Sequence, residues 1–148
     1  MKVTYKGDYA LKAILDLAMA PAGEAVKVAD MAAREDIPAK FLEGILGSLR
    51  RGGFVKSKRG PDGGYTLARP ASEISVGEVL RYIEGSLLPI GCLDADKSTC
   101  DFVGVCGFLE MWRHVDEVVR EIIDNTTFED IRRNAEKKRA TAARNWTI

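Results

Sequence analysis

The 148-residue sequence predicts a mainly α protein with one small β-hairpin, on three observations. Apolar residues recur at helical spacing in three short segments within the first 51 residues. A glycine- and proline-rich turn, Gly60-Pro61-Asp62-Gly63-Gly64, then separates two alternating stretches at 54–58 and 64–68. Finally, a long apolar stripe runs from Phe108 to Ile123. Three helices followed by a hairpin is the order of a winged helix-turn-helix, and the stripe adds a long helix suited to dimerisation.

The first helix is expected over 8–20, where Tyr9, Leu11, Ile14, Leu15, Ala18 and Met19 share a face. Asp8 stands at its N-cap position, and Pro21 and Gly23 stop it. A second helix fits 27–35, led by Val28, Met31 and Ala32. Asp36-Ile37-Pro38 then makes a tight turn, with Pro38 suited to a first helical position. The third helix, 39–51, is expected to bury Phe41, Leu42, Ile45, Leu46 and Leu49, leaving Ala39, Lys40, Glu43, Gly44, Gly47 and Ser48 facing outward. After a connector at 70–73, Ser75-Val76-Gly77-Glu78 reads as a capping box for a helix that Gly85 ends. A weaker capping box, Thr127 to Asp130, opens a last, basic helix. The organisation expected is a winged head over 1–70, a cysteine loop and dimerisation region over 71–131, and a basic tail over 132–148.

The formal net charge of zero hides a strong polarity along the chain. Residues 1–70 carry 12 Lys and Arg against 8 Asp and Glu, 71–131 carry 4 against 13, and 132–148 carry 6 against 1. A basic head beside an acidic middle implies that a polyanion meets the head. Arg50, Arg51, Lys56, Lys58 and Arg59 fall within ten residues at the exit of the third helix and in the hairpin. Glycines 52, 53, 60, 63 and 64 interleave with them, so backbone amides are expected to approach phosphates. On the outward face Glu43 suits cytosine N4, while Lys40 and Ser48 suit base or phosphate contacts. Arg59, at the hairpin tip, suits the minor groove. The sequence shows no run approaching ~18 apolar residues and no signal-peptide core, so a cytoplasmic protein without membrane spans is expected.

Cys92, Cys100 and Cys106 lie in a loop over about 86–107. Three thiols cannot all pair into disulfides, and soft sulfur ligands favour iron–sulfur clusters, zinc or cuprous ions. A redox thiol switch is the other reading. An enzyme reads poorly: the one histidine, His114, is expected as a polar residue of the long helix, and no nucleophile–base pair or phosphate loop is evident.

MKVTYKGDYALKAILDLA, then IPAKFLEGILGSLRRGGFVKSKRGPDGGYTLARP, then ISVGEVLRYIEG, resemble the bacterial regulators typified by the iron–sulfur cluster regulator, the nitric-oxide-sensitive repressor and the cysteine-metabolism repressor. The resemblance covers residues 1–131 and is most specific in RGPDGGY and the helix after it. It implies a homodimeric winged-helix transcription factor, often a repressor, on near-palindromic promoter DNA, with Glu43 and Arg59 at positions of DNA contact. It also implies that Cys92, Cys100 and Cys106 hold an iron–sulfur cluster, 2Fe–2S or 4Fe–4S, sensing redox state, nitric oxide or cluster supply. Asp8 matches a carboxylate ligand given across the dimer in the nitric-oxide-sensing branch, and Glu110 is a weaker candidate. The sequence departs from its relatives in two places. Gly44 replaces a longer polar side chain, and Leu109 stands where the cluster-biogenesis regulator carries His. Control through a protein partner, as in the cysteine-metabolism branch, is the cluster-free alternative.

Overall fold

The computed structural model describes residues 1–94 and 100–145. Helices α1 (Tyr5–Met19), α2 (Val28–Glu35) and α3 (Ala39–Arg51) precede a two-stranded antiparallel hairpin, β1 (Val55–Lys58) and β2 (Gly64–Leu67). Helices α4 (Val76–Glu84), α5 (Leu109–Asn125) and α6 (Phe128–Asn145) follow. The mainly helical winged architecture is thus present as expected.

Helix α1 starts earlier than the sequence suggested. Thr4, not Asp8, is its N-cap, accepting from the Gly7 amide, and Asp8 lies inside the first turn. The helix ends in an extended Ala20, as the following Pro21 requires. Its most deeply buried positions include Ala10 and Ala13, both fully inaccessible, so small side chains let the neighbouring helices approach. At the next junction Asp36 adopts the left-handed conformation (φ 52°) and Ile37 is buried, which places Pro38 at the N-cap of α3 rather than at its first helical position.

In α3, Leu42, Ile45, Leu46 and Leu49 are buried, but Phe41 is not: it is 67% exposed. At about 100° per residue, position 41 falls to the edge of the stripe centred on Leu42, Leu46 and Leu49, so adjacency in sequence overstated its burial. The hairpin is paired Val55 to Leu67 and Lys58 to Gly64, and Val26 adds a reciprocal bridge to Tyr65 (2.9 and 2.8 Å). Gly64 allows this bridge: its φ of 152° suits glycine, and a Cβ there would strike the Val26 carbonyl. Helix α4 is opened by the full Ser75–Glu78 capping box, and Gly85 closes it at φ 82°. The Ser75 amide and hydroxyl hold the Glu78 carboxyl below its usual range, against the opposing effect of partial burial, and Arg69 helps.

One buried cluster joins α1, α2, α3 and β1 to Ile74, Val79 and Phe128. The apolar interior therefore takes in residues on both sides of residue 70. The Thr127–Asp130 box opens α6 as expected, and α6 continues unbroken through 131 and 132 while packing against α1. Helix α5 buries only Leu109. Phe108, Met111, Val115, Val118 and Ile122 remain exposed along it, and His114 also faces solvent.

Candidate functional site

The outward line of α3 is Lys40, Gly44, Gly47 and Arg51, spaced i, i+4, i+7 and i+11 opposite the buried stripe. Glu43 is exposed beside this line, while Ser48 is half-buried and its carbonyl accepts from the Tyr82 hydroxyl (3.0 Å). That bond and the Phe54–Tyr82 ring contact (5.4 Å between centroids) set the end of α3 against α4 and the root of the hairpin. Arg50 donates to Ser57 on β1 (3.3 Å), bringing the helix exit onto the wing's outer edge.

Lys56, Ser57 and Lys58 are exposed on β1 after the buried Val55, and Arg59 is exposed just before the turn. Among the described residues none of Lys40, Arg50, Arg51, Lys56, Lys58 or Arg59 forms an ion pair with a carboxylate. Arg113 and Arg120 on α5 and Arg132 and Arg133 at the start of α6 are paired on their own helices, whereas Lys137, Lys138, Arg139 and Arg144 further along α6 form no ion pair among the described residues. Glu129, held by Arg132 and Arg133, has its pKa lowered to about 2. One expectation needs correction. The amides of Gly52, Gly53 and Gly63 already donate to Ser48, Arg50 and Gly60 carbonyls, so they are not free for phosphate.

The thiol loop is partly described. Cys92 lies in a short 3₁₀ turn, Gly91–Leu93; Cys92 and Cys106 are half-exposed, Cys100 is exposed, and all three are free. The segment 95–99 between Cys92 and Cys100 lies outside the described residues, as do 146–148 of the tail. Among the described residues no group of three Cys, His, Asp or Glu side chains converges to metal-binding distance. The donor set itself fits a soft metal or cluster: three reachable thiols without disulfide partners. Leu109 is buried, and Glu110 is engaged by Arg113 (2.5 Å).

With Thr4 as the cap, the side chain of Asp8 is released from that role. It stands half-exposed on the first turn of α1, paired with Lys12 at 3.0 Å, beside an open depression formed with Lys2, Val3 and Tyr5. The contact that sequence reading missed is Glu84. Its carboxylate accepts from the Thr4 amide (2.9 Å) and hydroxyl (2.7 Å), and it occupies the space that a side chain at Gly7 would need. Burial works to raise its pKa, but the Thr4 and Gly7 hydrogen bonds outweigh it and lower the value. The start of the cysteine loop is thereby fastened to the turn that carries Asp8. Only the 80-residue separation hid this link.

A helix-turn-helix followed by a basic wing and a long C-terminal helical region defines a winged-helix regulator. The chain belongs to the Rrf2 family, described as iron-dependent transcriptional regulators, whose model matches residues 3–134. It is 38% identical over 132 residues to an HTH-type transcriptional regulator of Mycobacterium tuberculosis, spanning 88% of this chain and 81% of that relative. It is 35% identical over 136 residues to the HTH-type transcriptional regulator IscR of Escherichia coli, spanning 92% and 83%. Among solved structures, CymR, the global cysteine regulator of B. subtilis, superposes with a TM-score of 0.78 at 28% identity, covering 90% of this chain and 98% of that one. IscR of T. potens gives 0.76 at 33% identity, covering 93% and 90%. These relatives are transcriptional regulators, not enzymes, and no described helix is long and apolar enough to cross a membrane.

Proposed function

We propose that the protein is a homodimeric repressor of promoter DNA whose occupancy is set by an iron–sulfur cluster on Cys92, Cys100 and Cys106, with Asp8 of the other protomer as fourth ligand. The observation that carries the DNA reading is the exposed cation set clustered at the α3 exit and wing, which among the described residues pairs with no carboxylate. Arg50, Arg51, Lys56, Lys58 and Arg59 neutralise phosphates, while Glu43 approaches a base from α3 and Lys40 and Ser48 contact bases or phosphates beside it. Arg59→Ala is expected to weaken operator binding by about 1–3 kcal/mol in a titration at fixed salt, and unchanged affinity removes Arg59 from the interface.

The exposed apolar face of α5 supports the dimer. Cluster control is supported by the three free thiols, the resemblance around them and the accessible Asp8 carboxylate. A cluster would supply one rigid anchor for a loop whose root Glu84 already ties to α1. Ordering that loop would bias the relative placement of the two heads, which need about 34 Å between recognition helices to enter successive major grooves.

A thiol switch without a metal is the second reading, favoured by the reachability of all three sulfurs. Anaerobic purification followed by absorption spectroscopy, metal analysis and operator titration separates the readings. A coloured protein whose DNA affinity changes on cluster loss supports the proposal. Colourless protein with stoichiometric zinc, or holo and apo protein of equal affinity, overturns it.

A further inference from the structure

Beside the outward line of α3 the structure opens a groove of about 580 Å³ between that helix and the first turns of α1. Its floor and walls are apolar and aromatic, with Tyr5, Tyr9, Pro38, Phe41 and Ile45 the main contributors. Two rings stand in solvent there: Tyr5 is 81% and Phe41 67% exposed. Gly44 lies one turn along from Phe41 and Lys40, and a Cβ at that position would meet nothing within 4 Å. The polar side chains around the groove include Lys6, Lys40 and Arg51, and among the described residues no carboxylate lines it.

A groove with a cationic rim and an apolar floor selects an occupant that is anionic outside and apolar at its tip. Duplex DNA meets that description on its major-groove side at one base, thymine, whose C5 methyl projects among the acceptor and donor edges of its neighbours. The rim charge is complementary to the flanking phosphates. The position on α3 coincides with the surface proposed to enter that groove.

We infer that this groove reads a thymine: Phe41 packs on its C5 methyl, in the space left open at Gly44, while Lys6, Lys40 and Arg51 hold the adjoining phosphates. The inference rests on the proposed DNA-binding reading and sharpens it to a base preference at one position of each half-site. Glu43, on the other side of the outward line, is left to read a different base pair.

The test begins with enrichment of binding sites from a randomised duplex library by the full chain. Each thymine of the enriched half-site is then replaced by deoxyuridine, which removes the methyl group alone. One position is expected at which this weakens wild-type binding by about three- to tenfold. Phe41→Ala is expected to bind the thymine site more weakly and to be indifferent to the same replacement. Gly44→Gln, which fills the open space with a polar chain, is expected to lose the methyl preference too. Circular dichroism melting of the variants, both altered at exposed positions, checks that they fold.

If replacing every thymine changes affinity less than twofold, or if Phe41→Ala keeps the wild-type methyl preference, the inference is wrong. Should Glu43→Ala and Arg59→Ala still weaken binding in that case, the DNA-binding reading stands without it. Enrichment of no duplex by the wild-type chain overturns both together.

Discussion

Asp16 is the carboxylate that the described structure places in the interior, 8% exposed and gripped by Arg34 through two hydrogen bonds of 2.9 and 2.8 Å. The paired geometry fixes α2 against α1, and with them the turn that aims α3. The Asp16 side of the pair is buried and the Arg34 side stands half in solvent, so the two hydrogen bonds to a buried charge are what the substitution removes. Asp16→Ala is expected to lower stability by about 2 kcal/mol in urea denaturation, with DNA contacts untouched. A change below 0.5 kcal/mol would show that solvent on the half-exposed Arg34 side substitutes for the pair. The same residue-level view explains why Asp8 is available for another partner: Thr4 performs the capping, so an acidic side chain in the first turn is favoured only by the helix dipole and Lys12.

At the level of elements, α4 carries two carboxylates whose folded pKa values lie below the ordinary 4.5, Glu78 at its own cap and Glu84 at the tie to α1. Glu78 is lowered chiefly by the Ser75 amide, and Glu84 by Thr4 and Gly7 against the opposing effect of burial. A lowered folded pKa adds stability that is complete above the unfolded value and disappears as pH falls through the folded one. Thermal stability is therefore expected to stay level from neutrality to about pH 5 and to decline below 4.5. Glu84→Gln is expected to shallow that decline, and an identical acid profile for the variant would dissociate the link from acid lability.

These elements also show what a linear reading can reach. The Ser75–Glu78 box, the 39–51 helix and the Gly60–Gly64 turn are local, so spacing alone located them. Phe41 was misplaced because a helix edge is an angular property that adjacent apolar residues blur. Thr4–Glu84, Tyr82–Ser48 and Asp16–Arg34 join distant segments, and no local pattern announces such pairs. Ala10 and Ala13 passed unremarked because their role is to be small where helices cross.

For the molecule as a whole, α5 carries a row of exposed apolar side chains that nothing among the described residues covers. Ile122 is 60% exposed, and Phe108, Met111, Val115 and Val118 are exposed to lesser or greater degree, an apolar run that a lone chain would rarely leave in water. If the proposed dimer forms through this face, Ile122→Glu is expected to give a monomer in sedimentation velocity, and to weaken operator binding because two linked heads hold DNA better than one. Persistence of the dimer would move the seam off this helix. In the proposed dimer on DNA, the acidic middle segment would keep that seam away from phosphate while the basic head faces it.

Phe128, the opening residue of α6, is 1% exposed in the interior that also holds Ala10, Leu42 and Ile74, and its amide donates to the Ile74 carbonyl (3.0 Å). The reading head is consequently not a detachable cassette. A chimera borrowing only the leading 70 residues, or a polypeptide halted at Thr127, would inherit a benzyl-sized hole beneath the first helix. Anyone grafting this specificity onto another scaffold must carry the far end of the chain along with it.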